Sequence, residues 1–438
     1  MNKKALIISI IAIILVASIF GVLLVMNWGD PDTTYDYFFE TQEDQMFYYS
    51  SFAVDDDGNL YIGTSHKQYW QAEGREWSEN YYLYSFYPNN TKRWEFPTSN
   101  SEVVKGGPAV HPDGLIIFVT EAMSSSGSQP NAIYNKLYAL NTDGTLNWSS
   151  IPLEPSSGDI DDGPWGSNCL NPAIDSNGHI YIQSQDNITS FYKNGTIRWY
   201  NDSLTTPFKS SGSPSIYNDT VYFPSGGNSK ISISAFYTNG TYKWHYEINY
   251  DDNRFNMISI DDSGLLYAGT DANTFHIINP DGTQNKTYPI PTSNAKVRGD
   301  IAIDSDGIIF LGTKNDQNSE FYALNTSGTE VSVKWKYNSP LRDVYSSPTI
   351  ADDGSIFFAT EDRKVFRVNK QNGDLIKIYE VERDITWCSC TFDDDSTLYI
   401  GDMGGYLYAI ELSNVGLADT PWSCLGASFK RTRCQRAQ

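Results

Sequence analysis

Acidic turns are the first residues here whose type and spacing invite chemistry: DDDG at 55–58, DSDG at 304–307 and ADDG at 351–354. A calcium loop of the EF-hand type needs oxygen ligands at alternating positions and a bidentate Glu to close it. In this chain the Gly arrives too soon, no such Glu follows, and strand-like residues resume at once, so the spacing favours tight turns over a metal loop. The histidines, His66, His111, His179, His245 and His276, are scattered, with no H-x-H or HExxH spacing for zinc. No G-x-S-x-G, phosphate-binding loop or dinucleotide fingerprint occurs. Five cysteines are an odd number. Cys424 and Cys434 are spaced to close a small loop near the C-terminus. Cys388 and Cys390 point to one face of a strand, which is poor geometry for bridging each other. No catalytic constellation, cofactor site or metal site emerges from these residues.

The elements carrying them repeat. An A-V/I-D-x-x-G turn followed by an L/I-Y-I strand reads AVDDDGNLYIGT (53–64), AVHPDGLIIFVT (109–120), AIDSNGHIYIQS (173–184) and SIYNDTVYFPSG (215–226). It continues as SIDDSGLLYAGT (259–270), AIDSDGIIFLGT (302–313), TIADDGSIFFAT (349–360) and TFDDDSTLYIGD (391–402), eight copies in all. A second hairpin follows, as in LYALNTDGTLNW (137–148) and ISAFYTNGTYKW (233–244). Asp-Gly and Asn-Gly between alternating strands are strong hairpin signals, because both residues tolerate positive φ. Each repeat is therefore four antiparallel strands, A to D, and a four-stranded unit of this period is a β-propeller blade. The expected architecture is all-β, an eight-bladed propeller over residues 33–412. Blade 8 lacks a fourth strand at its own end, so Tyr35 to Thr41 is expected to supply it and close the ring.

Trp94, Trp148, Trp199, Trp244 and Trp335 share one position near the start of strand D, with Tyr288 and Tyr379 nearby in blades 5 and 7. The D/N-G-T-x-x-W pattern after L-Y-A-L resembles the quinoprotein dehydrogenase-like propeller superfamily across residues 35–412. That resemblance implies that these tryptophans dock neighbouring blades against the adjacent C–D turn. The superfamily holds quinone-dependent dehydrogenases and cofactor-free scaffolds, among them the bacterial outer-membrane barrel-assembly lipoprotein. A dehydrogenase of this kind needs a calcium site, a catalytic aspartate and, in many members, a disulfide between adjacent cysteines. No Cys-Cys pair exists here, since Ser389 separates Cys388 from Cys390. The resemblance thus implies a protein-binding scaffold without catalysis. A quinone-dependent dehydrogenase and a sugar-binding or sugar-cleaving propeller remain the alternatives. Trp422, Phe429 and Arg431-Thr432 loosely echo a W-P-x-F…R-T-G tail found in some relatives, and residues 413–438 are left as a tail of undetermined packing.

Propeller geometry puts A–B and C–D turns on one face and B–C and D–A loops on the other. The long insertions, 65–82, 121–135 and 153–171, all fall in the second set, where loops on a rigid scaffold commonly bind. Tyr69, Trp70, Trp77 and Trp165 lie in them, outside the blade pattern. Basic residues precede strand A in six blades, Lys105, Lys209, Arg254, Arg298, Arg342 and Arg383. A ring of them at the channel mouth would favour an acidic ligand or partner segment. A protein partner is the first expectation and a polysaccharide the second.

A formal charge of −22 excludes a nucleic-acid role, which needs a basic surface. Residues 1–29 differ from the rest: Lys3 and Lys4 precede an uncharged run, 5–26. At about 1.5 Å per helical residue that run spans a bilayer core of about 30 Å, so one N-terminal transmembrane helix is expected, with a cleaved signal segment the alternative. Lysines before it, and Asp30, Asp32 and Asp36 after it, place the bulk of the chain outside the cytoplasm. Sequons at Asn89, Asn147, Asn187, Asn194, Asn201, Asn218, Asn239, Asn285 and Asn325 permit glycosylation there.

Overall fold

The computed structural model describes residues 35–434, except 42–44, 49, 67–80, 99–101, 123–133, 151–170, 184–186, 203–209, 228–229, 250–254, 316–317, 338–340 and 429. The apolar run 5–26, together with Tyr69, Trp70, Trp77, Trp165, Lys209 and Arg254, lies outside the described residues. Among those described, no helix is long and apolar enough to cross a membrane.

Eight antiparallel sheets of blade type follow one another along the chain. Blade 1 is Ala53–Val54, Leu60–Gly63, Tyr82–Phe86 and Lys92–Pro97, and later blades repeat this order. Blade 4 departs from it by splitting its inner strand into Ser210–Ser211 and Ser215–Tyr217. Blade 8 joins Thr391–Phe392, Thr397–Gly401 and Tyr406–Glu411 to Tyr35–Glu40 from the other end of the chain. Tyr35 stands opposite Ile410, and Glu40 opposite Tyr406. The outer edge of Tyr406–Glu411 is thereby paired rather than left open.

The acidic turns are held by their own carboxylates. Asp55 accepts from the Asp57 amide at 3.0 Å, the Asn59 amide at 2.8 Å and the Tyr61 hydroxyl at 2.7 Å. Asp393 repeats this with Asp395, Thr397 and Tyr399 at 2.9, 2.8 and 2.9 Å. Burial, first of all, raises the phenols of Tyr61 and Tyr399. A repeated D-x-x-G/S-x-x-Y pattern is therefore turn chemistry, an Asx turn plus a tyrosine hydroxyl donor six residues on.

The C–D turns use the same device. Asn194 Oδ1 takes the Thr196 amide and hydroxyl at 3.1 and 2.7 Å, while Asp143 does the same for Thr145 at 2.9 and 2.6 Å. Because Asn and Asp interchange at one position, turn geometry alone accounts for the sequons at Asn89, Asn194, Asn239 and Asn325. Asn187 is only 5% exposed, so a glycan there would require unpacking.

Five tryptophans span the blade seams. The indole N–H groups of Trp94, Trp148, Trp199, Trp244 and Trp335 donate to carbonyls of Thr142, Lys193, Thr238, Pro280 and Lys370 at 2.7–2.9 Å. Each acceptor belongs to the next blade's C–D turn. A Cβ on that turn's glycine, Gly144, Gly195, Gly240, Gly282 or Gly373, would lie 2.6–2.7 Å from the ring. Blades 5 and 7 differ from expectation: Lys286 and Lys377, not Tyr288 and Tyr379, hold the tryptophan's register. Lys286 Nζ still reaches the next turn, at 2.6 Å from both the Thr326 and Gly328 carbonyls. Blade 7 faces a blade whose strands C and D come from opposite ends of the chain, so it has no continuous C–D turn to dock. Gly240→Ala, which combines a φ of 91° with the Trp199 contact, is expected to lower stability by about 2 kcal/mol in urea unfolding.

One buried histidine gives the fold a pH dependence. His276 is 2% exposed in Thr274–Ile278, with Thr287 Oγ1 3.1 Å from Nδ1 and Thr274 Oγ1 3.3 Å from Nε2. Burial pushes its imidazole from 6.5 down to about 4. A depressed folded value means that this stability is present above pH 6.5 and lost as pH falls toward 4. The loss is expected to reach about 3 kcal/mol and to be missing in His276→Gln, as read by urea titrations across that window.

Candidate functional site

The segment leading into strand A is locked against the preceding blade. The Val297 and Val344 amides donate to the Thr270 and Thr313 carbonyls at 3.0 and 3.1 Å. Val344 lies so close to Gly312 that a Cβ there would sit 2.2 Å from Cγ1, which explains the glycine closing the L-Y-I-G strand. The next residue in each segment, Arg298 or Tyr345, is thereby carried to the channel mouth on the D–A face.

Register identifies which residues share that position. Ala109, Ala302, Thr349 and Thr391 pair with Ile117, Phe310, Phe357 and Tyr399 at equivalent places in blades 2, 6, 7 and 8. Four residues earlier stand Lys105, Arg298, Tyr345 and Trp387. Arg342 and Arg383 lie farther from strand A and are exposed. The basic residues named from the sequence therefore do not share one ring. Blades 6 to 8 bring together one cation and two aromatics instead, and sequence reading passed over both Tyr345 and Trp387.

Their geometry is close. Arg298 donates through Nε and Nη2 to Asp271 at 3.0 and 2.7 Å, and its guanidinium lies 6.0 Å from the Trp387 ring centre. The Trp387 and Tyr345 rings are 4.9 Å apart and tilted 38°. Lys314 Nζ lies 5.7 Å from the Tyr345 centroid and 3.2 Å from Asp343 Oδ2. Burial pushes the Tyr345 hydroxyl up to about 12, against the opposing pull of Lys314. Burial, helped by Asp343, raises the Glu361 carboxyl beside this set. Such an arrangement can stack and hydrogen-bond a ligand.

The opposite mouth is closed by the tail. Amides of Val110, Ile174, Ile216, Ile303 and Ile350, equivalent inner-edge positions in blades 2, 3, 4, 6 and 7, donate at 2.8–2.9 Å to carbonyls of Lys430, Thr432, Arg433, Trp422 and Ser423. The inner-strand edges, which would otherwise be unpaired, are thus satisfied. Three residues before these amides a belt of hydrogen bonds girdles the axis. Asp300, Ser347 and Ser389 amides donate in turn to Ser347, Ser389 and Ser51 hydroxyls at 2.8–2.9 Å. Gly107 N and Asn171 Nδ2 continue it through Asn171 and Ser213 at 2.7 and 2.8 Å.

Two arginines bridge the gaps in this belt. Arg431 donates to the Phe52 carbonyl beside Gly107, where a Cβ would lie 2.6 Å from Nη1. Arg433 reaches the Pro214 carbonyl at 2.8 Å, Ser215 Oγ at 3.1 Å, the Ile258 carbonyl at 3.2 Å and Asp300 at 3.1 Å. Asp300 also receives Trp422 Nε1 at 3.2 Å and the Gly426 amide at 2.9 Å. Cys424 and Cys434, the expected bridge, are not joined. The tail runs across the axis between them, with Ser423 at blade 7 and Cys434 beside Ile216 in blade 4.

The description of a known family matches residues 67–265: outer membrane protein assembly factor BamB. Among solved structures, BamB from Moraxella catarrhalis is similar at 17% identity over 87% of this chain and 98% of that one, with a TM-score of 0.58. A europium-containing methanol dehydrogenase is similar at 12% identity over 87% and 93%, with a TM-score of 0.65. The computationally designed Ika8 protein is similar at 11% identity over 84% and 100%, with a TM-score of 0.55. The chain is thus similar over residues 67–265 to a family of the pyrroloquinoline-quinone-like propellers, and shares the propeller fold with these solved structures. BamB-like proteins are among those propellers. No curated protein matches the chain.

Similarity to a methanol dehydrogenase raises a quinone and its metal as candidates. The described residues do not fit them. Among these residues no three His, Cys, Asp or Glu side chains are grouped to hold a metal ion. The polar groups of the axis are engaged with one another and with Arg431 and Arg433.

Proposed function

We propose that this chain is a membrane-anchored, extracytoplasmic propeller that binds and assembles protein partners without catalysis. The observation carrying this reading is the axis filled by the chain's own tail, with Arg433 and Trp422 fully buried in it. A ring plugged in this way offers its faces rather than a reaction chamber. The match to the BamB family model supports an assembly role, and the long D–A and B–C insertions with Tyr69, Trp70, Trp77 and Trp165 are the surface to which a partner would dock. Residues 5–26 serve as the single-pass anchor, with Lys3 and Lys4 on the cytoplasmic side. Arg298 is matched by Asp271 and Lys314 by Asp343, so the D–A mouth gives little support to an acidic ligand.

Cross-linking and pull-down from membranes is the test. A discrete partner, lost when residues 67–80 are replaced by a Gly-Ser linker, is the expected result. Dye-linked alcohol oxidation after reconstitution with pyrroloquinoline quinone and calcium would favour the dehydrogenase and overturn the reading.

A further inference from the structure

We propose that the channel mouth over blades 6 to 8 binds a neutral saccharide, with a sugar ring stacked on Trp387 and its hydroxyls met by the Arg298–Asp271 and Lys314–Asp343 pairs.

Trp387 is set apart from the other described tryptophans. Five dock blade seams and Trp422 lies in the plug, whereas Trp387 is half-buried and belongs to no core cluster. Its φ is 61°, a left-handed conformation that a bulky side chain adopts only under strain. Arg298 and Tyr345, at the equivalent positions of blades 6 and 7, are not in that region, so the repeat does not require the strain. The strained backbone holds the indole 4.9 Å from Tyr345 and 6.0 Å from the Arg298 guanidinium.

The charges decide the ligand class. Arg298 is ion-paired with Asp271 at 2.7 Å and Lys314 with Asp343 at 3.2 Å, two cations against two carboxylates, with the Glu361 carboxyl a third acid beside them. An anion gains no net attraction from such a set. A neutral sugar gains on both counts: its C–H face packs on an electron-rich ring, and its hydroxyls bond to groups that are already charged and oriented. This site lies on blades 6 to 8, with Asp271 contributed by blade 5, and is independent of the protein-docking reading, which rests on insertions in blades 1 to 3.

Affinity gel electrophoresis of the full chain, run with dextran, pullulan, galactomannan or hydroxyethylcellulose in the gel, tests the proposal. Retardation by at least one of these is expected, weakened roughly tenfold or more by Trp387→Gly. Glycine relieves the positive φ, so Trp387→Gly is also expected to keep or raise the melting midpoint. Tyr345→Ala gives a second measure and should weaken retardation as well. Retardation by none of the four, or by alginate in their place, would overturn the proposal. So would undiminished binding in Trp387→Gly, or a fall in its midpoint, which would assign the indole to packing.

Discussion

Arg433→Ala is expected to lower the unfolding free energy by about 3–5 kcal/mol, because it leaves Asp300 as an uncompensated buried charge. Both side chains are 1% exposed and lie 3.1 Å apart. The guanidinium also stacks 5.6 Å from the Trp422 ring and serves carbonyls of blades 4 and 5, so no other side chain replaces its set of donors. Urea unfolding of the purified chain reads the effect. Arg433→Met combined with Asp300→Leu is expected to recover much of the loss, since it removes the stranded charge as well as its partner. If Arg433→Ala unfolded like the parent, the tail would be a surface appendage and the plug would have no energetic standing.

Removal of residues 33–42 is expected to be comparably damaging. It strips the fourth strand from blade 8 and exposes the edge of Tyr406–Glu411. Phe38 packs 5.3 Å from the Phe86 ring, and Phe39 4.9 Å from both Tyr84 and Phe86, so the strand also stitches blade 8 to blade 1. Losing two half-buried phenylalanines and one strand ladder is expected to cost about 5 kcal/mol or more, with concentration-dependent association through the new edge. A calorimetric midpoint equal to that of the intact chain would refute this role for the strand. The milder Phe39→Ala is expected to lie between the two.

The Trp387 site shows how far spacing alone carries an argument. Counting basic residues before strand A grouped Arg342 and Arg383 with Arg298, although strand register puts Tyr345 and Trp387 at the equivalent place. The difference is a few residues of loop length, which neither composition nor charge reveals. Tyr288 and Tyr379, which looked like substitutes for the seam tryptophan, are a different case. The same bulge precedes the tryptophans of the other blades, and counting four residues on from Gly282 and Gly373 puts Lys286 and Lys377 at the position, so here it was the spacing that was passed over in favour of residue type.

By itself the sequence determined the blades. Their turns, hairpins and seam tryptophans are set by contacts within one repeat or the next, and such contacts leave a periodic trace in residue type. The same locality explains the sequons, which arise where Asn or Asp must cap a C–D turn. The tail was legible only as a loose echo, at Trp422 and Arg431-Thr432, of a segment found in some relatives, with its packing undetermined. Its partners are far away in sequence: Arg431 meets Phe52 across 379 positions and Arg433 meets Asp300 across 133. No period encodes a contact made once, across the axis, by a segment outside the repeat. Only the closed ring brings the inner edges of blades 2, 3, 4, 6 and 7 within reach of one strand of tail, and so only the tertiary structure decided that the channel is plugged.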